Sequence, residues 1–368
     1  MAVSNDLTPG SGRTEPGRGR GSPHPAVSEV RAAVRRFLTA ARTSLTADAV
    51  AVACSGGADS LALAAATVHC AGRLGLTVHG LVVDHQLQPD SRTVAQITEQ
   101  ALRRLGATTV AVLQVTVDGP GGPEAAARRA RYAALRAAAP AGALVLLGHT
   151  LDDQAETVLL GLGRGSGPRS VAGMRELDPP WGRPLLGLRR AVTGAACEAL
   201  ELVPWVDPHN SDPRFRRVRL RTEALPLLED VLAGGVAEAL ARTAGQLHED
   251  LDLLEGQAGA LLVQARRGTV DAGSVDAGPV DAGPVDAGPV DAGPVDTGTL
   301  DVTVLAAAPA ALRRRALRRW LLDAGVAELT DAHLRAADDL IGRWSGQGGV
   351  RLPGDVEVFR AHGKLHIS

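Results

Sequence analysis

Lysine is almost missing from this chain of 368 residues: Lys364 is the only one, and arginine carries nearly all of the positive charge. A phosphate-binding loop of the G-x-x-x-x-G-K-S/T type is thereby excluded, because its lysine must reach the outer phosphates. Aromatic residues make up only 2%, so the core has to be built from Ala, Val and Leu. With 45% hydrophobic residues there is enough apolar surface to build one. The three cysteines, Cys54, Cys70 and Cys197, are widely spaced and form no C-x-x-C pair. They cannot assemble a zinc or iron–sulfur site, and unpaired thiols point to a reducing compartment. No run approaches the roughly 18 apolar residues that a bilayer crossing needs. The start, rich in Gly, Pro, Ser and Arg, lacks the apolar stretch of a secretory signal. These absences lead us to expect a cytoplasmic protein with no membrane partner.

The formal net charge of −2 argues against a protein that coats nucleic acid, but it hides an asymmetry. Between residues 270 and 298 the unit Val-Asp-Ala-Gly-Pro recurs every five residues and carries six Asp without a basic residue. Setting those six aside moves the balance of the remainder from −2 to +4, which suits local contact with RNA. Gly and Pro in every unit deny the tract helix or sheet, so residues 267–300 are expected to be a flexible linker.

The length suggests two or three domains. Residues 1–25 are polar and turn-rich, and a disordered tail is expected there. After a helical pattern at 26–42, short apolar runs at 49–53, 78–83, 109–115 and 143–147 alternate with helical stretches at 61–70, 93–105, 124–138 and 152–162. That alternation predicts βαβ units and an α/β fold with a doubly wound parallel sheet, whose ligands sit at the carboxyl ends of the strands. We assign residues 26–190 to this domain and 191–266 to a helical segment. Residues 301–368 form a small α+β domain, with one helix at 305–322, another at 331–344, and short strands around the Pro353-Gly354 turn.

Two constellations carry chemistry. Ser55-Gly56-Gly57-Ala58-Asp59-Ser60 lies between a predicted strand and helix. Its successive glycines let backbone N–H groups turn inward on an anion, and the helix N-terminus adds its positive end. Asp59 would repel that anion unless a divalent cation lies between them; the plainer reading is a Gly-rich turn with a capping Ser. The second constellation is Gly148-His149-Thr150-Leu151-Asp152-Asp153-Gln154-Ala155-Glu156-Thr157, also just after a strand. Its carboxylates either cap the helix or serve a Mg²⁺–phosphate complex. Asp84-His85 ends the second strand at the same edge, where the histidine is either structural or part of the cleft.

Taken together, these segments resemble a known family. The Ser55–Ser60 loop looks like the pyrophosphate loop of the N-type ATP pyrophosphatases, which implies the adenine nucleotide alpha hydrolase-like fold. Within that group, the tRNA(Ile)-lysidine synthases are resembled at 83–89, at Glu124-Ala125-Ala126-Ala127-Arg128 with Arg131-Tyr132, and at 148–157 continuing to 164–167. Arg183-Pro184-Leu185-Leu186, the stretch 207–212 and the basic run 217–221 extend the likeness, which covers roughly residues 30–230. Thr150 stands where the family usually has a second His, and Val218 where it has Asn.

The resemblance implies ATP and Mg²⁺ as cofactors, and tRNA(Ile) with a CAU anticodon and free L-lysine as partners; it leaves a homodimer open. It implies nucleotide contacts from Ser55, Gly56, Gly57, Ala58, Asp59, Ser60, Asp84 and His85, and catalysis by Asp59, His149, Asp152, Asp153 and Glu156. Asp59 and Asp152 are the metal candidates, and the acidic cluster either shares that metal or holds the lysine ammonium. Arg217, Arg219 and Arg221 are candidate RNA contacts, or else a solvated helix face. Arg313–Arg319 divides in the same way between RNA and solvent. A tRNA thiolase of the superfamily would call for paired reactive cysteines, which are missing. An ammonia-using ligase would leave 207–221 unexplained, and an ATP sensor without turnover would not need the acidic cluster.

Overall fold

A computed structural model describes residues 22–86, 90–118, 122–165, 167–207, 212–267 and 298–368. Residues 1–21, most of the Val-Asp-Ala-Gly-Pro tract and 208–211 lie outside them, and so do the expectations placed there. The described residues form two compact units divided between Ala244 and Gly245.

In the first unit, α1 (Pro25–Ala40) precedes β1 (Ala49–Ala53), α2 (Ala58–Ala71), β2 (Thr77–Asp84), α3 (Ser91–Leu105), β3 (Thr109–Gln114), α4 (Pro123–Ala138), β4 (Leu144–Leu146) and α5 (Leu151–Arg164). The strands lie in the order β3-β2-β1-β4-β6-β5, where β5 is Leu177–Asp178 and β6 is Trp181–Gly182. Every pairing is parallel except β5 with β6. Side chains of a strand alternate between faces, and the core divides accordingly. Val50, Val52, Leu144 and Leu146 pack with Val34, Leu38 and Leu63 of α1 and α2. Ala51, Val145 and Leu147 pack with Leu135 of α4 and with Trp181. The expected doubly wound sheet is therefore present, with helices on both faces. The β5–β6 hairpin was not expected, because two-residue strands show no periodicity; it joins the sheet because Trp181 is buried against Tyr132, ring centroids 4.6 Å apart.

The unit continues through α6 (Pro168–Val171), α7 (Arg190–Ala199), α8 (Arg216–Arg219), a π-helical turn at Leu220–Ala224, α9 (Leu225–Val231) and the start of α10 (Val236–Arg267). Leu151 and Ala155 of α5 pack with Leu225 and Ala237, which brings the 220s beside the acidic start of α5.

The second unit holds the rest of α10, β7 (Leu300–Asp301), α11 (Val302–Ala306), α12 (Ala310–Asp323), α13 (Asp331–Gly342) and the strands β8 (Val350–Leu352), β9 (Val356–Ala361) and β10 (Lys364–Ile367). Its antiparallel sheet runs β7-β10-β9-β8 around a core centred on Leu317, Trp320, Leu321, Val358 and Leu365. The single helix expected at 305–322 is two, because Pro309 has no N–H to continue α11 and serves instead as the cap of α12. Nor is Arg313 part of a wet basic face: its guanidinium is half-buried and paired with the buried Asp338, with Nε–Oδ1 at 2.7 Å.

Candidate active site

Three strand ends converge on one cavity of about 670 Å³, within the range of ligand pockets. The end of β1 supplies the Ser55–Ser60 loop, the end of β2 supplies Asp84 and His85, and the end of β4 supplies Gly148 and His149. Gly56 has φ +84°, and a Cβ there would lie 2.6 Å from Thr98 Oγ1, so this position requires glycine. Its carbonyl accepts from the Trp205 N–H at 2.9 Å. Ser60 shapes the loop, accepting from the Ser55 N–H at 3.2 Å and donating to the Gly57 carbonyl at 2.9 Å. At Gly148 a Cβ would meet the backbone of Asp59 and Ser60 at 3.0–3.1 Å, so the absence of a side chain lets β4 close on the loop.

The acidic groups are held by specific donors. Thr150 and Asp153 form a capping box at the start of α5: Asp153 Oδ2 accepts from Thr150 N at 2.8 Å and Thr150 Oγ1 at 3.0 Å. Arg190, the first residue of α7, spans Asp59 Oδ2 at 3.3 Å and Asp153 Oδ1 at 2.7 Å. Asp59 Oδ1 accepts a hydrogen bond from the Thr193 hydroxyl. Burial raises the Asp59 carboxyl above its ordinary range despite Thr193 and Arg190. For Asp153, burial is outweighed by Arg190 and the Thr150 N–H, and the carboxyl is held below that range. Glu156 is fully buried and doubly bonded by Arg221, at 2.8 and 3.2 Å.

The candidate residues are distributed unevenly. Ser55, Gly57, Ala58, Asp59, Ser60, Asp84, His85, His149, Asp153, Arg217 and Arg221 line the cavity. Asp152 does not; with Glu156, Arg189, Arg221 and Glu229 it lines a second cavity of about 230 Å³, and it accepts from Arg189 Nη1 at 3.0 Å and from the Arg190 N–H at 2.7 Å. Arg219 is exposed and paired with Glu223. His149 is half-buried, its Nδ1 is buried and unpartnered among the described residues, and burial pushes its pKa down to about 3, so its imidazole is neutral. His85 Nδ1 and Arg131 Nε, also beside the cavity, are likewise buried without partners. Sequence reasoning missed Arg189, Arg190, Thr193 and Trp205. Two arginines at the start of a helix oppose its dipole, and that was the available sign that they serve carboxylates from elsewhere in the chain.

All three thiols are buried and free, and burial raises the pKa of each, that of Cys197 to about 11. Protonated, inaccessible thiols do not alkylate. Folded protein exposed to iodoacetamide at pH 7.5 should therefore keep its unmodified mass, and gain three adducts only in denaturant. Rapid labelling of Cys54 in the folded state would reopen sulfur chemistry.

The fold and its loop define a PP-loop ATP-binding protein: residues 29–228 match the PP-loop domain, and residues 300–366 match the TilS substrate binding domain. The chain is 52% identical to the tRNA(Ile)-lysidine synthase of Mycolicibacterium paratuberculosis over 83% of its own length and 85% of that relative. It is 55% identical to the tRNA(Ile)-lysidine synthase of Nocardia farcinica, over 85% of this chain and 88% of the other. Among solved structures, the U34-tRNA thiolase NcsA from Methanococcus maripaludis shares the fold, with a TM-score of 0.50 and 18% identity over 61% of this chain and 80% of that chain. The chain belongs to the tRNA(Ile)-lysidine synthase family, and with it to the ATP-using enzymes. Among the described residues, no helix is long and apolar enough to cross a membrane.

Proposed function

We propose that this chain converts the wobble cytidine C34 of the CAU anticodon of tRNA(Ile) to lysidine in the cytoplasm. The cytidine C2 carbonyl oxygen attacks the α-phosphate of ATP, and pyrophosphate leaves. The ε-amine of free lysine then attacks C2, loses a proton, and AMP departs with the C2 oxygen. The observation that carries this reading is the convergence of the Ser55–Ser60 loop, Asp59, Asp153 and His149 on one cavity lined by buried polar atoms that lack partners among the described residues. Phosphoryl-type transfer depends on positioning and charge neutralisation, which this set supplies.

The backbone N–H groups at Gly57 and Ala58 would hold the departing pyrophosphate at the start of α2. His149, with a pKa near 3, is a weak base; it would serve as a neutral hydrogen-bonding partner of the substrate. The carboxylate joined to Asp59 through Arg190 is Asp153, so these two, and not Asp59 with Asp152, would hold Mg²⁺. Among the described residues no three protein ligands are grouped for a metal. Mg²⁺ binds through one or two carboxylates and completes its shell with phosphates and water, so Asp59 and Asp153 would suffice as its protein ligands. When bound, the ion neutralises charge on the outer phosphates. The 230 Å³ cavity, with Asp152, Glu156 and Glu229 beside Arg189 and Arg221, suits an amino acid carrying both ammonium and carboxylate groups, and we assign lysine to it. Arg217 and Arg128, which line the main cavity, are the arginines best placed for RNA.

Purified protein should release pyrophosphate from ATP only with isoleucine tRNA bearing unmodified C34, and labelled lysine should enter that RNA. Release without tRNA, or RNA left unlabelled, would remove the lysidine assignment while leaving the ATP chemistry.

A further inference from the structure

Arg190 is bound in an unusual way for a structural ion pair. Asp59 and Asp153 each offer two carboxylate oxygens. One oxygen of each is held by a local hydroxyl or backbone donor: Asp59 Oδ1 by Thr193, and Asp153 Oδ2 by the capping contacts of Thr150. The remaining oxygens, Asp59 Oδ2 and Asp153 Oδ1, are both hydrogen-bonded by Arg190, through Nε and Nη2. Its third carboxylate, Glu156, is 3.9 Å away and already doubly bonded by Arg221. Asp59, Asp153 and Arg190 all line the main cavity. Withdrawing Arg190 would thus free Asp59 Oδ2 and leave Asp153 Oδ1 with only Arg221 Nη2, at 3.6 Å, on two otherwise fixed carboxylates that line the same cavity. That is the protein share of a divalent cation's shell when phosphates supply the rest.

We propose that Arg190 is a movable counter-ion: it occupies the cation position between Asp59 and Asp153 in the resting enzyme, and swings onto a phosphate oxygen when the cation and nucleotide arrive together. This rests on the nucleotide reading of the cavity given above. A guanidinium is suited to both stations, since its planar donors match carboxylate and phosphate alike. The arrangement also gives order to binding. A cation alone must displace a bonded arginine that has nowhere better to go, whereas a cation bound to nucleotide brings the phosphate that receives it. The Nε of Arg131 and Nδ1 of His149, buried and unpartnered among the described residues, mark the same cavity as built for a ligand.

The test uses Mn²⁺ as probe, with the full chain and no nucleotide, reading free Mn²⁺ by electron paramagnetic resonance. Arg190→Gln should bind Mn²⁺ at least ~10-fold more tightly than the unaltered protein, and adding Asp59→Asn should abolish the gain. Arg190→Lys, which preserves the charge, should keep Mn²⁺ binding weak and retain the fold. In the presence of tRNA and ATP, Arg190→Gln should lower the rate of pyrophosphate release about 100-fold, the scale for losing one donor to transferring charge. If Arg190→Gln leaves Mn²⁺ affinity unchanged or weaker, Arg190 is a fixed clamp and the proposal falls. If the Mn²⁺ gain appears but no lysidine forms in any variant, the counter-ion role stands and the RNA reading fails.

Discussion

Asp59→Asn should abolish tRNA-dependent pyrophosphate release, by about 10³-fold or more, while leaving the thermal midpoint unchanged or higher. The two halves of this expectation have one cause. Burial raises the Asp59 carboxyl above its ordinary range, against the opposing hydrogen bond of Thr193 and the charge of Arg190. The folded protein therefore binds a proton more readily than the unfolded chain, so folding is penalised by keeping this group charged at neutral pH, and the penalty is relieved as pH falls toward the raised pKa. Asparagine keeps an oxygen for Thr193 and removes the charge, so stability does not suffer. What is lost is the negative oxygen facing the cavity, and with it the means of fixing a cation against the phosphates. A charge retained against stability is the pattern of a functional group. Calorimetry beside a pyrophosphate assay would decide: a midpoint lowered by several degrees in step with the activity would make Asp59 a structural residue.

Arg221→Ala should destabilise the protein by about 3 kcal/mol at pH 7, the low end of the cost of orphaning a buried charge. Glu156 is fully buried and takes both of its hydrogen bonds from Arg221. Only Arg190, at 3.9 Å, remains to compensate, which is why the low end is expected. The pH dependence follows from the direction of the Glu156 shift. Burial raises its pKa even with Arg221 in place, and removing that arginine must raise it further. Between the unfolded and folded pKa values the folded state retains a proton that the unfolded state has released, so stability increases as pH falls. The deficit of Arg221→Ala should accordingly shrink from pH 7 toward pH 5, and Glu156→Gln in the same chain should restore most of it. Denaturant titrations of the four members of this cycle provide the measurement. An Arg221→Ala protein as stable as the parent but impaired in RNA binding would return Arg221 to the RNA surface.

The contrast between these residues shows where reading along the chain succeeds. The short apolar runs of β1 and β4 are local features, and their spacing between helical stretches announces parallel strands buried on both faces of the sheet. The Ser-Gly-Gly turn and the Thr150-Leu151-Asp152-Asp153 start of α5 are equally local, since a positive φ or a capping box involves only a few consecutive residues. The arginines carry no such pattern. Arg217, Arg219 and Arg221 look alike in sequence, yet Arg217 and Arg221 line the cavity, Arg219 pairs with Glu223 in solvent, and Arg221 also neutralises a buried glutamate 65 positions away. Arg190 reaches Asp59 across 131 positions.

Apolar runs, turn chemistry and helix caps are short-range features of the chain, and they suffice for the α/β fold, the phosphate loop and the acidic start of α5. Which carboxylate meets which cation is a question of low-dielectric neutralisation between segments distant in the chain. That is settled only when the sheet order sets β1 beside β4 and the start of α7 brings Arg190 to Asp59 and Asp153, where leaving a buried charge unpaired costs several kcal/mol.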